Sequence, residues 1–261
     1  VGRLPAAVAR ASGADILTGT TVRRLTPAAD QASSVRLGGT RAHRWLLETG
    51  PAQTPESTRA DAVVVALPAA PAARLLRGAA PQAAVELAGV QAASVAIVTL
   101  ALPLAAFPRP PASSGFLVPP ADGRLTKAVT ISSVKWPWLG ALAGDVVVLR
   151  ASVGRHRAER ELHRDDDALV RVVLAELGEA LGVRGLPVDS RVTRWGGALP
   201  QYAVGHVERM ARARAAVDAV PGLAVCGATY DGVGVAACVA SARRAATAVL
   251  DGLGVVPVST A

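Results

Sequence analysis

The sequence predicts a mixed α/β chain, and three observations carry that prediction. Residues 60–68, ADAVVVALP, are a continuous apolar run of the kind buried on both faces of a parallel sheet. Residues 94–154 hold β-branched runs separated by Pro and Gly, the pattern of a largely antiparallel sheet. Residues 221–253 read as a strand, a glycine-rich turn and a long helix of small residues.

In chain order, RLPAAVARASGA (3–14) predicts a helix closed by Gly13, and DILTGTTVRRL (15–25) a strand. SVRLGGTRAHRWLLE (34–48) predicts a hairpin. The 21 residues 87–107 carry no charge, enough length to span a bilayer, but Gln91, Ser94 and Pro103 interrupt them. A helix end followed by a buried strand is the expected form. SVAIVTLALP (94–103), SGFLVPP (114–120), AVTISSVKW (128–136) and DVVVLRASVG (145–154) predict antiparallel strands. RHRAERELHR (155–164) reads as a solvated face, and RDDDALVRVVLAELGEALG (164–182) as a helix with acids at its N-terminus. VDSRVTRW (188–195) predicts one more strand, and LPQYAVGHVERMARARAAVDAV (199–220) runs into a helix. Residues 255–261 form an expected loose tail.

Composition excludes several classes. With 51% hydrophobic and 18% charged residues over 261 positions, the chain can bury a sizeable core. The formal charge of +8 comes almost wholly from scattered Arg, with Lys only at 127 and 135, and no aromatic-basic interleaving suggests nucleic acid. Cys226 and Cys238 lack a CxxC spacing or a nearby His, so they read as structural thiols in a reducing compartment. No metal cluster, catalytic triad or HExxH pattern is present, and no side chain is assigned as a catalytic acid or base. The chain opens inside an amphipathic pattern without an initiator Met, so a longer protein is expected to precede Val1.

GVGVAA (232–237) matches the GxGxxG/A spacing only superficially, because ATYD separates it from its strand and no second strand follows. A helix starting near Gly232 would instead aim its N–H groups and positive dipole end at a partly anionic planar ligand, such as the edge of a reduced flavin. Close helix packing with an N-cap at Asp231 explains the same residues equally well.

LPQYAVGH (199–206) followed by PGLAVCGATYDGVGVAACVASARRAA (221–246) resembles the C-terminal signature of the flavin-dependent protoporphyrinogen and coproporphyrinogen oxidases. SGFLVPP, KAVTISSVKWPW and ASVAIVTLALP match the middle of that family in order, and the likeness is greatest to its actinobacterial coproporphyrinogen branch. The resemblance implies a two-domain fold of the monoamine-oxidase type. A discontinuous FAD-binding domain would take residues 1–80 and 201–254 but lack its N-terminal βαβ, and a substrate domain would take 81–200. It also implies the cofactor FAD. The backbone at Val22 would hold the adenine, Trp195 would stand beside the flavin ring, and Gly227, Asp231, Gly232, Val233, Gly234 and Val235 would form the turn at its pyrimidine edge. The GxGxxG phosphate loop of the family is expected upstream.

The implied reaction is oxidation of a porphyrinogen, copro- or protoporphyrinogen, with dioxygen reduced to hydrogen peroxide, in heme biosynthesis. Arginines would meet the propionates. Tyr202, Lys135 and Arg194 are the substrate candidates, with Arg150 as a further strand arginine, while His206 suits capping or packing better than proton transfer. A cytoplasmic location is expected, with weak membrane contact or handover to the next heme-pathway enzyme compatible with the resemblance. A flavin-free porphyrin- or partner-binding chain and an amine oxidase or carotenoid desaturase relative are the alternatives.

Overall fold

The computed structural model describes residues 2–28 and 44–255. The chain forms two compact units, Val1–Gly89 with Val204–Ala261, and Val90–Ala203.

In the first unit, α1 (Leu4–Ser12) ends at Gly13, whose φ of 63° closes it as expected. β1 (Val22–Pro27), β2 (Trp45–Thr49) and β3 (Glu56–Ala60) make an antiparallel sheet in that order. The strand expected over 15–25 forms only from Val22, because residues 15–20 have no strand partner among the described residues and Gly19 turns at φ 71°. Residues 34–43 of the expected hairpin and 256–261 of the expected tail lie outside the described residues. The hairpin that is seen joins β2 to β3, whose polar sequence gave no strand signal.

β4 (Val63–Val65) pairs in parallel with β10 (Leu223–Val225). Val65 is buried but Val64 is 38% exposed, so the apolar run is not buried on both faces. Ala245 and Val249 of α9 (Val235–Leu253) pack with Ala224 and Cys226, and this two-stranded pair leaves its other face uncovered at Val64. α3 (Pro81–Ala88) packs against α2 (Ala69–Leu76) and α7 (His206–Asp218), and the three helices bury Leu87, Leu76 and Met210. Glu86 of α3 accepts from Nε and Nη2 of Arg212 on α7 at 2.6 and 3.0 Å. These contacts keep α3 in the first unit, so the division falls after Gly89, nine residues beyond the expected boundary at 80.

The second unit is built on a five-stranded antiparallel sheet in the order β6-β7-β8-β5-β9. Its strands are β5 (Ala92–Pro103), β6 (Gly115–Leu117), β7 (Thr126–Ile131), β8 (Val146–Val153) and β9 (Asp189–Pro200). The uncharged run 87–107 therefore is a helix end and a central strand. β7 stops earlier than expected: Ser132–Lys135 form the helical turn α4, followed by α5 (Pro137–Ala143). The Ser133 hydroxyl takes the Val148 N–H at 2.9 Å, a donor that a longer β7 would have paired through its backbone. One sheet face packs Val98, Leu100, Ile131, Leu149 and Ala151 against Leu169, Val173 and Leu177 of α6 (Asp166–Leu181). Asp165 caps α6 by accepting from the Ala168 N–H at 2.6 Å, and the acids beside it favour the positive helix end. Among the described residues, no helix is long and apolar enough to cross a membrane.

Candidate functional site

In the first unit, β10 delivers the chain to Cys226 and Gly227, one helical turn follows as α8 (Ala228–Asp231), and residues 232–234 lead into α9. Gly227 and Gly232 stand at φ 119° and 130°, conformations that side chains rarely adopt. A Cβ on Gly232 would approach Ala237 Cβ to 3.1 Å, so the turn folds tightly onto α9. Gly227 and Gly234 have open space where a Cβ would stand, which leaves the backbone approachable there. α9 starts at Val235 with Gly234 as its N-cap and no side chain capping it. The dipole end and the first N–H groups of a 19-residue helix thus meet the turn between Val233 and Val235, both about half exposed.

Asp231 is not the N-cap of that helix. Its carboxylate pairs with Arg214 of α7 and, at 2.5 Å, with Arg244 of α9. Burial alone would raise its pKa, but hydrogen bonds from Arg214 and Ser241 and the two guanidinium charges outweigh this and hold it below the ordinary Asp value. The Ser241 hydroxyl also accepts from the Gly227 N–H at 3.2 Å. Buried His206 bonds the Thr229 carbonyl through Nε2 at 2.8 Å, so it packs the turn instead of standing free for proton transfer. Tyr230 is buried beneath the Arg214 guanidinium, 5.6 Å from its ring centroid, and burial raises its phenol pKa. The Cys226 thiol is likewise pushed up by burial, then by Cys238, which is only half-buried.

The arginine clamp on Asp231 was not found from the sequence, though a signal existed. Arg214 follows the buried Met210 by four positions and precedes the buried Val217 by three, which puts it at the edge of the inner face of α7. Val22, the other expected cofactor residue of this unit, opens β1 and lines a cavity of about 720 Å³ with Thr20, Arg23, Leu47, Val64 and Leu67. β4 borders that cavity and is hydrogen-bonded to β10, the strand that leads to the glycine turn.

In the second unit, Trp195 is 53% exposed on β9, and Tyr202, 45% exposed, follows the strand. Lys135 ends α4 with Nζ 5.1 Å from the Trp136 ring centroid. Arg194 is committed elsewhere: Nε bonds the Leu162 carbonyl at 3.0 Å, Nη2 the Arg164 carbonyl at 2.6 Å, and Nη1 the Asp166 carboxylate. Its register opposite Ala96 places it on the helix-covered side of the sheet, where it fastens the segment before α6. Arg150 is exposed on β8.

Comparison with known proteins agrees with this architecture. The chain is 41% identical over 210 residues to a coproporphyrinogen III oxidase of Mycobacterium tuberculosis, covering 80% of this chain and 44% of that protein. It is 32% identical over 187 residues to the coproporphyrinogen III oxidase of Bacillus subtilis, covering 71% and 39%. A crystal structure from Exiguobacterium sp. 255-15, provisionally named a protoporphyrinogen oxidase, superposes with a TM-score of 0.69 at 30% identity, over 90% of this chain and 47% of that one. The chain thus spans less than half the length of these curated relatives. The family model for flavin containing amine oxidoreductases matches residues 1–250, and the chain belongs to that family.

Proposed function

We propose that the protein carrying this chain oxidises a porphyrinogen, coproporphyrinogen III first and protoporphyrinogen IX second, using FAD and passing the electrons to dioxygen. The observation that carries the reading is the tight glycine turn before α9, in a chain 41% identical to coproporphyrinogen III oxidases. The first unit would contribute its segments to the flavin domain and the second unit would face substrate. Bound FAD would supply the two-electron oxidation.

This chain's residues would hold and orient the reactants. Val22 would receive the adenine in its cavity, and the open backbone at Gly227 and Gly234 fits the close approach of a planar ring. Gly232, Val233 and Val235 would complete the pyrimidine edge. The N-terminus of α9 favours negative charge there, which suits the reduced ring. Asp231 acts through Arg214 and Arg244, fixing where the turn stands. Trp195 would border the ring, with Tyr202 and Lys135 nearer the substrate. A cytoplasmic location and dioxygen as acceptor belong to the same proposal, as does transfer of product to the next heme-pathway enzyme.

The test is an absorption spectrum of the full-length protein followed by anaerobic additions. Oxidised-flavin bands that bleach on coproporphyrinogen, faster than on protoporphyrinogen, are expected. A protein that stays free of flavin when FAD is supplied overturns the proposal.

A further inference from the structure

The face of the five-stranded sheet turned away from α6 carries an ordered row of side chains. Thr130 on β7 pairs with Arg150 on β8, Arg150 with Thr99 on β5, and Thr99 with Arg191 on β9. Alternation sets the side. Leu149 and Ala151 are buried in the core under α6 and Val192 packs against it, so Arg150 and Arg191 project from the opposite face. Both arginines are exposed, and among the described residues neither side chain has a hydrogen bond or ion pair. Asp189 shares the face but gives an oxygen to the Ser190 N–H at 2.8 Å.

Two unpaired guanidinium groups flank one central strand, with their Cα atoms about 10 Å apart by the ordinary strand spacing. The Thr99 hydroxyl stands between them and the Thr130 hydroxyl beyond Arg150. Along the same face, Ile97 and then Val95 and Trp195 continue from the arginine row and offer an apolar and aromatic surface. A flat apolar ring with carboxylates along one edge complements this arrangement in shape and charge.

Resting on the porphyrinogen reading, we infer that Arg150 and Arg191 form a paired carboxylate site that binds two propionates of the tetrapyrrole, with the ring lying toward Ile97 and Trp195. Arginine suits the task because its planar fork meets a carboxylate through two parallel N–H bonds. Selectivity follows from the same geometry: a substrate with more propionates has more ways to engage both arginines, so the pair favours copro- over protoporphyrinogen.

The test is fluorescence titration of the full-length protein with coproporphyrin III and, separately, with its tetramethyl ester. Wild type is compared with Arg150→Gln, Arg191→Gln and the double variant. Each single change is expected to weaken binding of the acid about 5- to 10-fold, as for one partly solvated charge-assisted contact, and to leave ester binding unchanged. Arg150→Lys should fall between, since charge remains and the fork is lost. Variants that bind the acid as wild type does overturn the site while the porphyrinogen reading stands. Equal loss for acid and ester also overturns it, because carboxylates are then not what the arginines hold. Wild type that binds neither compound removes the porphyrinogen reading and the site with it.

Discussion

Asp231 and Arg214 form an ion pair that ties the residue just before the glycine turn to the middle of α7, and Arg244 closes the pair from α9. One carboxylate thereby joins three segments of the first unit. Asp231→Asn keeps the shape and removes the charge. Because both arginines are partly exposed, the expected loss of stability is about 1 kcal/mol, measured by urea unfolding at pH 7. The folded pKa of Asp231 lies below its ordinary value, so the contribution is complete above that value, about 3.9, and disappears as pH falls through the lower folded pKa. An equal wild-type-to-variant difference at pH 7 and pH 3 would contradict the ion-pair account.

Tyr230 presents the opposite case, a buried phenol whose hydroxyl has no hydrogen-bond partner among the described residues. Tyr230→Phe removes a desolvated oxygen and keeps the ring under Arg214, so stability should hold or rise by up to about 1 kcal/mol. Burial raises the phenol pKa, so tyrosinate absorbance from this residue should appear only with unfolding in an alkaline titration. A loss of stability beyond about 1 kcal/mol would reveal a partner and sink this reading.

Two left-handed glycines of the first unit separate backbone strain from crowding. Gly205 at φ 81° has open space where a Cβ would stand, whereas at Gly222, φ 74°, a Cβ would lie 3.0 Å from the Asp61 carbonyl oxygen and 3.2 Å from Trp45 Nε1. Gly205→Ala should cost about 1 kcal/mol, the price of the backbone conformation. Gly222→Ala should cost at least about 1 kcal/mol more, because Trp45 is fully buried and cannot retreat. Equal thermal shifts for the two variants would show that the crowding is relieved elsewhere.

Legibility in the sequence followed how local each signal was. α6 was readable because its acidic cap, apolar spacing and closing Gly182 lie within one segment. β5 and β8 were readable because alternation is local too. β3 was not, since Glu56–Ala60 is polar and becomes a strand only by pairing with β2. The end of β7 was missed because a serine hydroxyl replaces the next backbone partner of β8. In the site, the glycines and the helix start could be located to within a few residues, but the partners of Asp231 come from 17 residues before it and 13 after it. Helix spacing puts Arg214 at the edge of the inner face of α7, but no local pattern pairs Arg214 or Arg244 with Asp231.

Arg194 shows how strand parity separates a bonded arginine on one sheet face from Arg191 on the other. Its guanidinium bonds two carbonyls and one carboxylate in a fan that joins β9 to the entry of α6. Arg194→Gln should destabilise the second unit by about 1 kcal/mol, since one part-buried and two exposed hydrogen bonds are lost. Arg194→Lys should recover little of that, because a single ammonium cannot reach three directions at once. Arg150→Gln and Arg191→Gln, which break no side-chain bond among the described residues, should stay within about 0.5 kcal/mol of wild type. Urea unfolding of all four variants decides the matter. Full rescue by lysine would mean that charge, not the fan of hydrogen bonds, is what β9 needs at this position.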